Sequence, residues 1–175
     1  VAPSLYEKEP NDILDLSKIE AGKMEIVEDY YKLSAVLNDV VNMVQVKTEQ
    51  SQLGFSVEEE QSLPDSLFGE QVRIRQVVVN ILDNAFKYNK QGGLVTVDAI
   101  VDNETLTIHV SDTGCGIEKC NQDLVFNRFF RSASQYHGVG LGLPICRKIG
   151  SLINARIYLD KEYNNGSRFI IEIEN

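Results

Sequence analysis

Between Lys32 and Leu53 the apolar residues Leu33, Val36, Leu37, Val40, Val41, Val44 and Leu53 recur at the spacing of one helix face. Asn38, Asp39, Lys47, Glu49 and Gln50 fall on the opposite side, so an amphipathic helix packed on a core is expected. Residues 72–88, "VRIRQVVVNILDNAFKY", predict a second helix: they hold no proline or glycine and are dense in Val, Ile, Leu, Ala and Phe. Its surface should be largely buried, yet Arg73, Gln76, Asn80, Asn84 and Lys87 recur at spacings of three and four and form one polar seam.

The flanking patterns complete the outline. Ile13, Leu14, Leu16 and Ile19, with Gly22 as a stop, predict the end of a short amphipathic helix, and "KMEIVEDYY" alternates as an extended segment. "GFSVEEE" and "LFG" read as strands separated by the turn "LPDSL". "LVTVDAIVDNETLTIHVSD" predicts a hairpin turning at "DNET", and "ARIYLD" with "SRFIIEIE" a second one around "KEYNNG". A further helix is expected from about Leu141 to Ile153. Two helices and a strand pair followed by a helix and a strand pair predict a mixed sheet with helices on one face. The opening "VAPSLYEKEP" has two prolines and no periodicity, so residues 1–10 are expected to be a tail or remnant.

Composition narrows the partners. At 175 residues the chain fits one domain with a short appendage. With 26 acidic against 17 basic residues and a net charge of -9, its surface repels polyanions and argues against nucleic acid. A nucleotide stays possible, because local N–H groups, a lysine and a metal can neutralise phosphate. Cys115, Cys120 and Cys146 are odd in number and hold no C-x-x-C pair, which fits a reducing cytoplasm. No apolar run reaches membrane-spanning length, and the start lacks a signal-peptide pattern.

Three constellations carry candidate chemistry. In the seam, Asn84 offers a neutral oxygen that suits Mg²⁺, Asn80 would meet the same shell, and Lys87 could reach a phosphate. The same amides could equally satisfy loop backbone groups. In "SDTGCGI", Asp112 ends a strand and Gly114 and Gly116 let a ligand lie against the backbone. A carboxylate there, beside an apolar wall such as Ile117, is a specific acceptor for an exocyclic amine like that of adenine; an ordinary capped turn is the alternative. "GVGLGLPIC" places Gly138, Gly140 and Gly142 at the entry of a helix, whose free N–H groups favour phosphate. Between these loops "VFNRFFR" supplies phenylalanines for the core and Arg131 as a possible phosphate contact.

In this order, within about 100 residues, the motifs resemble those of the catalytic ATP-binding domain of bacterial sensor histidine kinases, in the GHKL ATPase superfamily. "RIRQVVVNILDNAFKY" is similar to the asparagine box, "DTGCGI" and "GVGLGLPI" to the two glycine boxes, "VFNRFFR" to the phenylalanine box, and "GSRF" at 166–169 to the closing strand motif. The resemblance covers about residues 30–174. It implies an α+β fold, a two-layer α/β sandwich of the Bergerat type. The mixed sheet would have about five strands covered on one face by three main helices, and a mobile ATP lid would precede the second glycine box.

The same resemblance assigns roles. Asn84 would ligate Mg²⁺, with Asn80 in the metal and phosphate shell and Lys87 on a phosphate. Tyr88 would flank the adenosine, Asp112 would bind the adenine amine, and Gly114, Gly116 and Ile117 would shape the base pocket. Arg131 and the segment Gly138, Gly140, Leu141, Gly142 and Leu143 would face the phosphates. Residues 11–22 would end a dimerisation and phosphoacceptor helix, 23–31 would be a linker, and 32–175 the catalytic domain. The expected ligands are ATP and Mg²⁺. The expected partners are the dimerisation domain of the same parent and, indirectly, the receiver domain of a response regulator, with no membrane contact by this segment. A cytoplasmic monomer cut from a homodimeric parent is the resulting picture.

Two features depart from the pattern. Pro144 follows "GLGL" where small residues are usual, but proline is tolerated in a helix's first turn. The phosphoaccepting histidine is missing: His109 alternates on a strand and His137 lies in the expected lid, so this chain should bind ATP yet barely phosphorylate itself. A hydrolase of the same superfamily is disfavoured because its glutamate base would stand where Asn80 is, and an amide cannot accept a proton from water. A degenerate nucleotide-sensing or docking module is the other alternative, and Asn84, Asp112 and the glycines argue against it.

Overall fold

The computed structural model describes residues 5–59, 63–131 and 138–174, with the side chains of residues 5–10 excepted. In chain order the elements are α1 (Leu5–Glu20), β1 (Asp29–Tyr31), α2 (Leu33–Ser51), β2 (Gly54–Glu59), β3 (Leu67–Gly69), α3 (Gln71–Lys87), β4 (Leu94–Asp102), β5 (Thr105–Asp112), α4 (Gly142–Leu152), β6 (Ala155–Leu159) and β7 (Ser167–Glu174). The main sheet has the order β2-β4-β5-β7-β6. β2 pairs parallel with β4 and the other neighbours are antiparallel, so the sheet is mixed as expected. β1 and β3 form a separate two-stranded ribbon.

Strand alternation decides which face the helices cover. Val95, Val97 and Ala99 of β4, Leu106, Ile108 and Val110 of β5, and Phe169, Ile171 and Ile173 of β7 are buried. They meet Ile74, Val77, Val78, Ile81 and Leu82 of α3, Val36, Leu37, Val40 and Val44 of α2, and Ile145 and Ile149 of α4 in one core. Each such side chain contributes roughly 1.5–3 kcal/mol by leaving water. The opposite face carries polar partners: His109 Nδ1 lies 2.6 Å from Asp98 Oδ2 on the neighbouring strand, and Arg156 and Tyr158 pair with Glu172. The β4–β5 hairpin turns at Asn103, whose φ of +56° is one that asparagine tolerates. The result is a two-layer α/β sandwich with α2, α3 and α4 on one face.

Within the stretch expected to be a tail or remnant, residues 5–10 are helical, since α1 begins at Leu5. Pro10 lies inside it and deprives the helix of one N–H; proline and the lack of an apolar period hid a helix that continues upstream from the periodic segment. Leu16 is buried in the core, the Gln76 amide donates to Asp15 Oδ2 at 2.8 Å, and Arg128 pairs with Glu20. Arg73 Nη2 reaches the Glu25 carbonyl at 3.5 Å. Gln76→Ala should therefore lower stability by about 1 kcal/mol, the usual net worth of one such bond. Urea unfolding of wild type and variant checks this, and identical midpoints would deny α1 a held position.

The expected ATP lid, with Tyr136 and His137, falls on residues 132–137 and lies outside the described residues. Among the described residues no helix is long and apolar enough to cross a membrane.

Candidate functional site

α3 carries the seam in two parts. Its amino-terminal half is spent on α1 and the segment after it, through Gln76 to Asp15 and Arg73 to Glu25, so the whole seam does not line one site. The carboxy-terminal half behaves differently. Asn80 is only 6% exposed, and its Nδ2 has no hydrogen-bonding partner among the described residues. A buried N–H donor left unmade costs about 1–3 kcal/mol, a cost that a water, an ion or a ligand atom could relieve. Asn84 follows one turn later, half-buried, with its carbonyl accepting the Tyr88 N–H at 2.9 Å.

The helix end then meets both glycine loops. A Cβ on Gly114 would stand 2.3 Å from the Tyr88 carbonyl oxygen, so only glycine allows the first loop to lie against the end of α3. The Cys115 N–H donates to that carbonyl at 3.4 Å, and the exposed Cys115 Sγ lies 3.6 Å from it. On the other side, the Lys87 ammonium would be 2.8 Å from a Cβ on Gly138, while it also sits 5.2 Å above the Tyr88 ring. Asn80, Asn84, Lys87 and Tyr88 thus lie in the carboxy-terminal half of α3 and its cap, where Tyr88 meets the first glycine loop and Lys87 the second.

Asp112 ends β5 inside this junction and is 5% exposed. Its Oδ1 accepts the N–H of Gly114 at 2.8 Å and that of Ser167 at 3.2 Å. Burial pushes the carboxyl above its ordinary value, and the two N–H donors pull it part of the way back. With Oδ1 doubly occupied, Oδ2 is the oxygen left to accept from a ligand. Ile117, three residues after Gly114, is half-buried against the core, and the positive φ of Gly116 lets the chain turn between them.

The second loop leads into α4. Gly140, at φ +76°, has no room for a side chain: its Cβ would lie 2.9 Å from the Phe130 carbonyl, the residue before Arg131. Arg131 is exposed beside this contact. Leu141 is buried and Leu143 packs on the core, so both can offer a ligand only their backbone. The α4 start has no side-chain cap and no acidic residue in its first turn, and a Cβ on Gly142 would meet nothing within 4 Å. Among the described residues its amino-terminal N–H groups thus have no side-chain cap, a setting that favours an anion. Pro144 stands third in the helix, where the missing N–H has no intrahelical partner.

Among the described residues no group of three or more His, Cys, Asp or Glu is placed to hold a metal. A divalent cation at Asn84 would need phosphate oxygens and water as its remaining ligands, which is how Mg²⁺ is commonly held. Two open grooves along α4, one lined by residues including Arg147, Arg156 and Tyr158 and the other by Phe126, Pro144 and Lys148, contain none of these donors. Donor geometry, not depth, locates the site. The sequence reading gave no role to Gly166 and Ser167, which hold Asp112. A Cβ on Gly166 would lie 2.0 Å from the Asp112 carbonyl oxygen, and the visible signal was the glycine that opens "GSRF".

The sequence profile of histidine kinase-, DNA gyrase B- and HSP90-like ATPases matches residues 69–175. Sensor histidine kinase RcsC of Escherichia coli K12 is 34% identical over 174 residues, which cover 97% of this chain and 18% of RcsC. The chain thus spans less than a fifth of that relative. The solved catalytic domain of histidine kinase ThkA superposes with a TM-score of 0.74 at 27% identity, covering 86% of this chain and 96% of that one. ThkA in complex with the response regulator protein TrrA shares the fold, with a TM-score of 0.73 at 22% identity over 99% of this chain and 52% of the other.

Proposed function

Because the chain belongs to the family of histidine kinase-, DNA gyrase B- and HSP90-like ATPases, we propose that it is the ATP-binding catalytic part of a two-component sensor histidine kinase. It binds Mg·ATP and presents the γ-phosphoryl to a histidine on a dimerisation domain. The observation that carries this is the convergence at the end of α3, where Tyr88 lies against Gly114 and Lys87 against Gly138. One nucleotide can then meet a base acceptor and phosphate donors at once.

Each residue has a share. Asp112 Oδ2 accepts the exocyclic amine of adenine, with Ile117 and the Gly114–Gly116 backbone around the base and Tyr88 beside the sugar. Lys87, Arg131 and the backbone from Gly138 through Gly140 to Leu141, Gly142 and Leu143 take the phosphates. Asn84 would hold Mg²⁺, and Asn80 Nδ2, which has no partner among the described residues, would donate to a phosphate oxygen in the same shell. The ion, when bound, neutralises charge on the phosphates. Phosphoryl transfer asks mainly for positioning and charge neutralisation, and these residues supply positioning.

α1 is read as the end of the dimerisation helix and the residues after it as the linker. Among the described side chains of α1, Ile13 and Leu14 are exposed, 51% and 57%, and would meet a second helix in a homodimeric parent. The ThkA complex supports a response regulator as the downstream partner. This segment alone is read as a cytoplasmic monomer.

The test mixes this chain with Mg·ATP and a separate fragment holding the parent's dimerisation domain. Acid-labile phosphate should appear on that fragment and not on this chain, since His109 is occupied on a strand with Asp98. Release of inorganic phosphate without transfer would instead identify a hydrolase, and no binding of ATP would identify a degenerate module.

A further inference from the structure

We propose that Arg168 is a positioning residue for the base end of the site: from the helix-free face of the sheet it clamps the ends of β5 and β7, so that Asp112 keeps one oxygen for an exocyclic amine. This rests on the reading of Asp112 as the adenine acceptor. Two of the last pairs between these strands are Ser111 with Arg168 and Asp112 with Ser167. By alternation Asp112 and Ser167 lie on the helix-covered side and Ser111 and Arg168 on the other, so the acceptor and the clamp are back to back.

The Ser167 N–H is the one donor to Asp112 that comes from β7, and its place depends on a strand end, where pairing frays most readily. Arg168 counters that in three ways. Its Nε donates to the buried Ser111 Oγ at 2.9 Å, which ties it to the residue before Asp112. Its Nη1 lies 3.7 Å from Asp160 Oδ2 at the far side of the β6–β7 turn. Its guanidinium stacks 4.3 Å from the centre of the Tyr163 ring in that same turn. The backbone closes the bracket, with the Asp160 N–H donating to the Arg168 carbonyl at 2.8 Å. A planar, multiply donating cation suits all three contacts together, as an ammonium would not.

If the bracket opens, Ser167 withdraws and the Asp112 carboxylate turns, so the loss falls on the exocyclic amine and spares the phosphates. Titration calorimetry of the whole chain with Mg·ATP and with Mg·inosine triphosphate, which carries a keto oxygen in place of the amine, reads this directly. Arg168→Ala should weaken ATP binding about tenfold, the scale of one charge-assisted hydrogen bond, and leave inosine triphosphate within about twofold. Ser111→Ala, which deletes only one anchor, should shift the ratio the same way by less, and it carries the test alone if Arg168→Ala does not fold. A wild-type ratio in folded variants, whether both affinities fall together or neither moves, overturns the inference. No preference for ATP in the wild type overturns the adenine reading of Asp112 and the inference with it.

Discussion

Asp112→Asn should weaken ATP binding by at least about a hundredfold while leaving the fold at least as stable at neutral pH. The substitution keeps Oδ1, so the N–H groups of Gly114 and Ser167 retain their acceptor. It replaces Oδ2 by an N–H donor, which then faces the amine it formerly accepted. Buried donor against donor loses the bond and strands both groups, the arrangement in which polar sites reject most strongly. Stability moves the other way. Burial raises the folded-state pKa of Asp112, so the ionised carboxylate costs the fold stability above that pKa, and the cost fades as pH falls through it. Thermal melts should therefore show the variant equal to or above wild type at neutral pH, with the difference closing toward acid. Unchanged affinity for a fluorescent ATP analogue would sink the assignment, and a collapsed melt would turn it into a folding residue.

The sequence carried the fold where periodicity is strong. α2, α3 and both hairpins stand close to where their patterns put them, because the buried faces of a two-layer sandwich impose a period of 3.6 or 2 on the chain. The extent of α1 is not legible because residues 5–10 hold a proline and no apolar stripe to announce them. The site was legible to the same degree. Spacing of three and four put Arg73, Gln76, Asn80, Asn84 and Lys87 on one stripe, but period gives a direction and not a position along the axis. Gln76 stands eight residues before Asn84, about 12 Å along a helix. That distance separates the half bonded to Asp15 and Glu25 from the half at the glycine loops. Arg168 and Ser111 were beyond reach for another reason. They meet through strand register, 57 residues apart, and no local pattern encodes a register.

Asn84→Ala should remove the metal-dependent part of nucleotide binding and lower phosphoryl transfer to a separate dimerisation fragment about a hundred- to a thousandfold, the scale seen when one preorganised polar group is lost. Among the described residues no cluster of three acidic, cysteine or histidine side chains is placed to hold a cation, and on the proposed reading a neutral carboxamide oxygen and the phosphates would share the work. Asn84 is half-buried on the last turns of α3, held there by the turn that its own carbonyl closes with Tyr88, and this bond survives truncation of the side chain. The base end, at Asp112, is untouched. The variant should therefore bind ATP with the same affinity in Mg²⁺ as in EDTA, at the level wild type shows in EDTA. Asn80, whose buried Nδ2 lacks a partner among the described residues, would behave otherwise: as a donor it would contact phosphate directly, so Asn80→Ala should weaken ATP with and without metal. If Asn84→Ala instead loses equal affinity in both conditions, the residue is a phosphate donor and the ligand role passes from it.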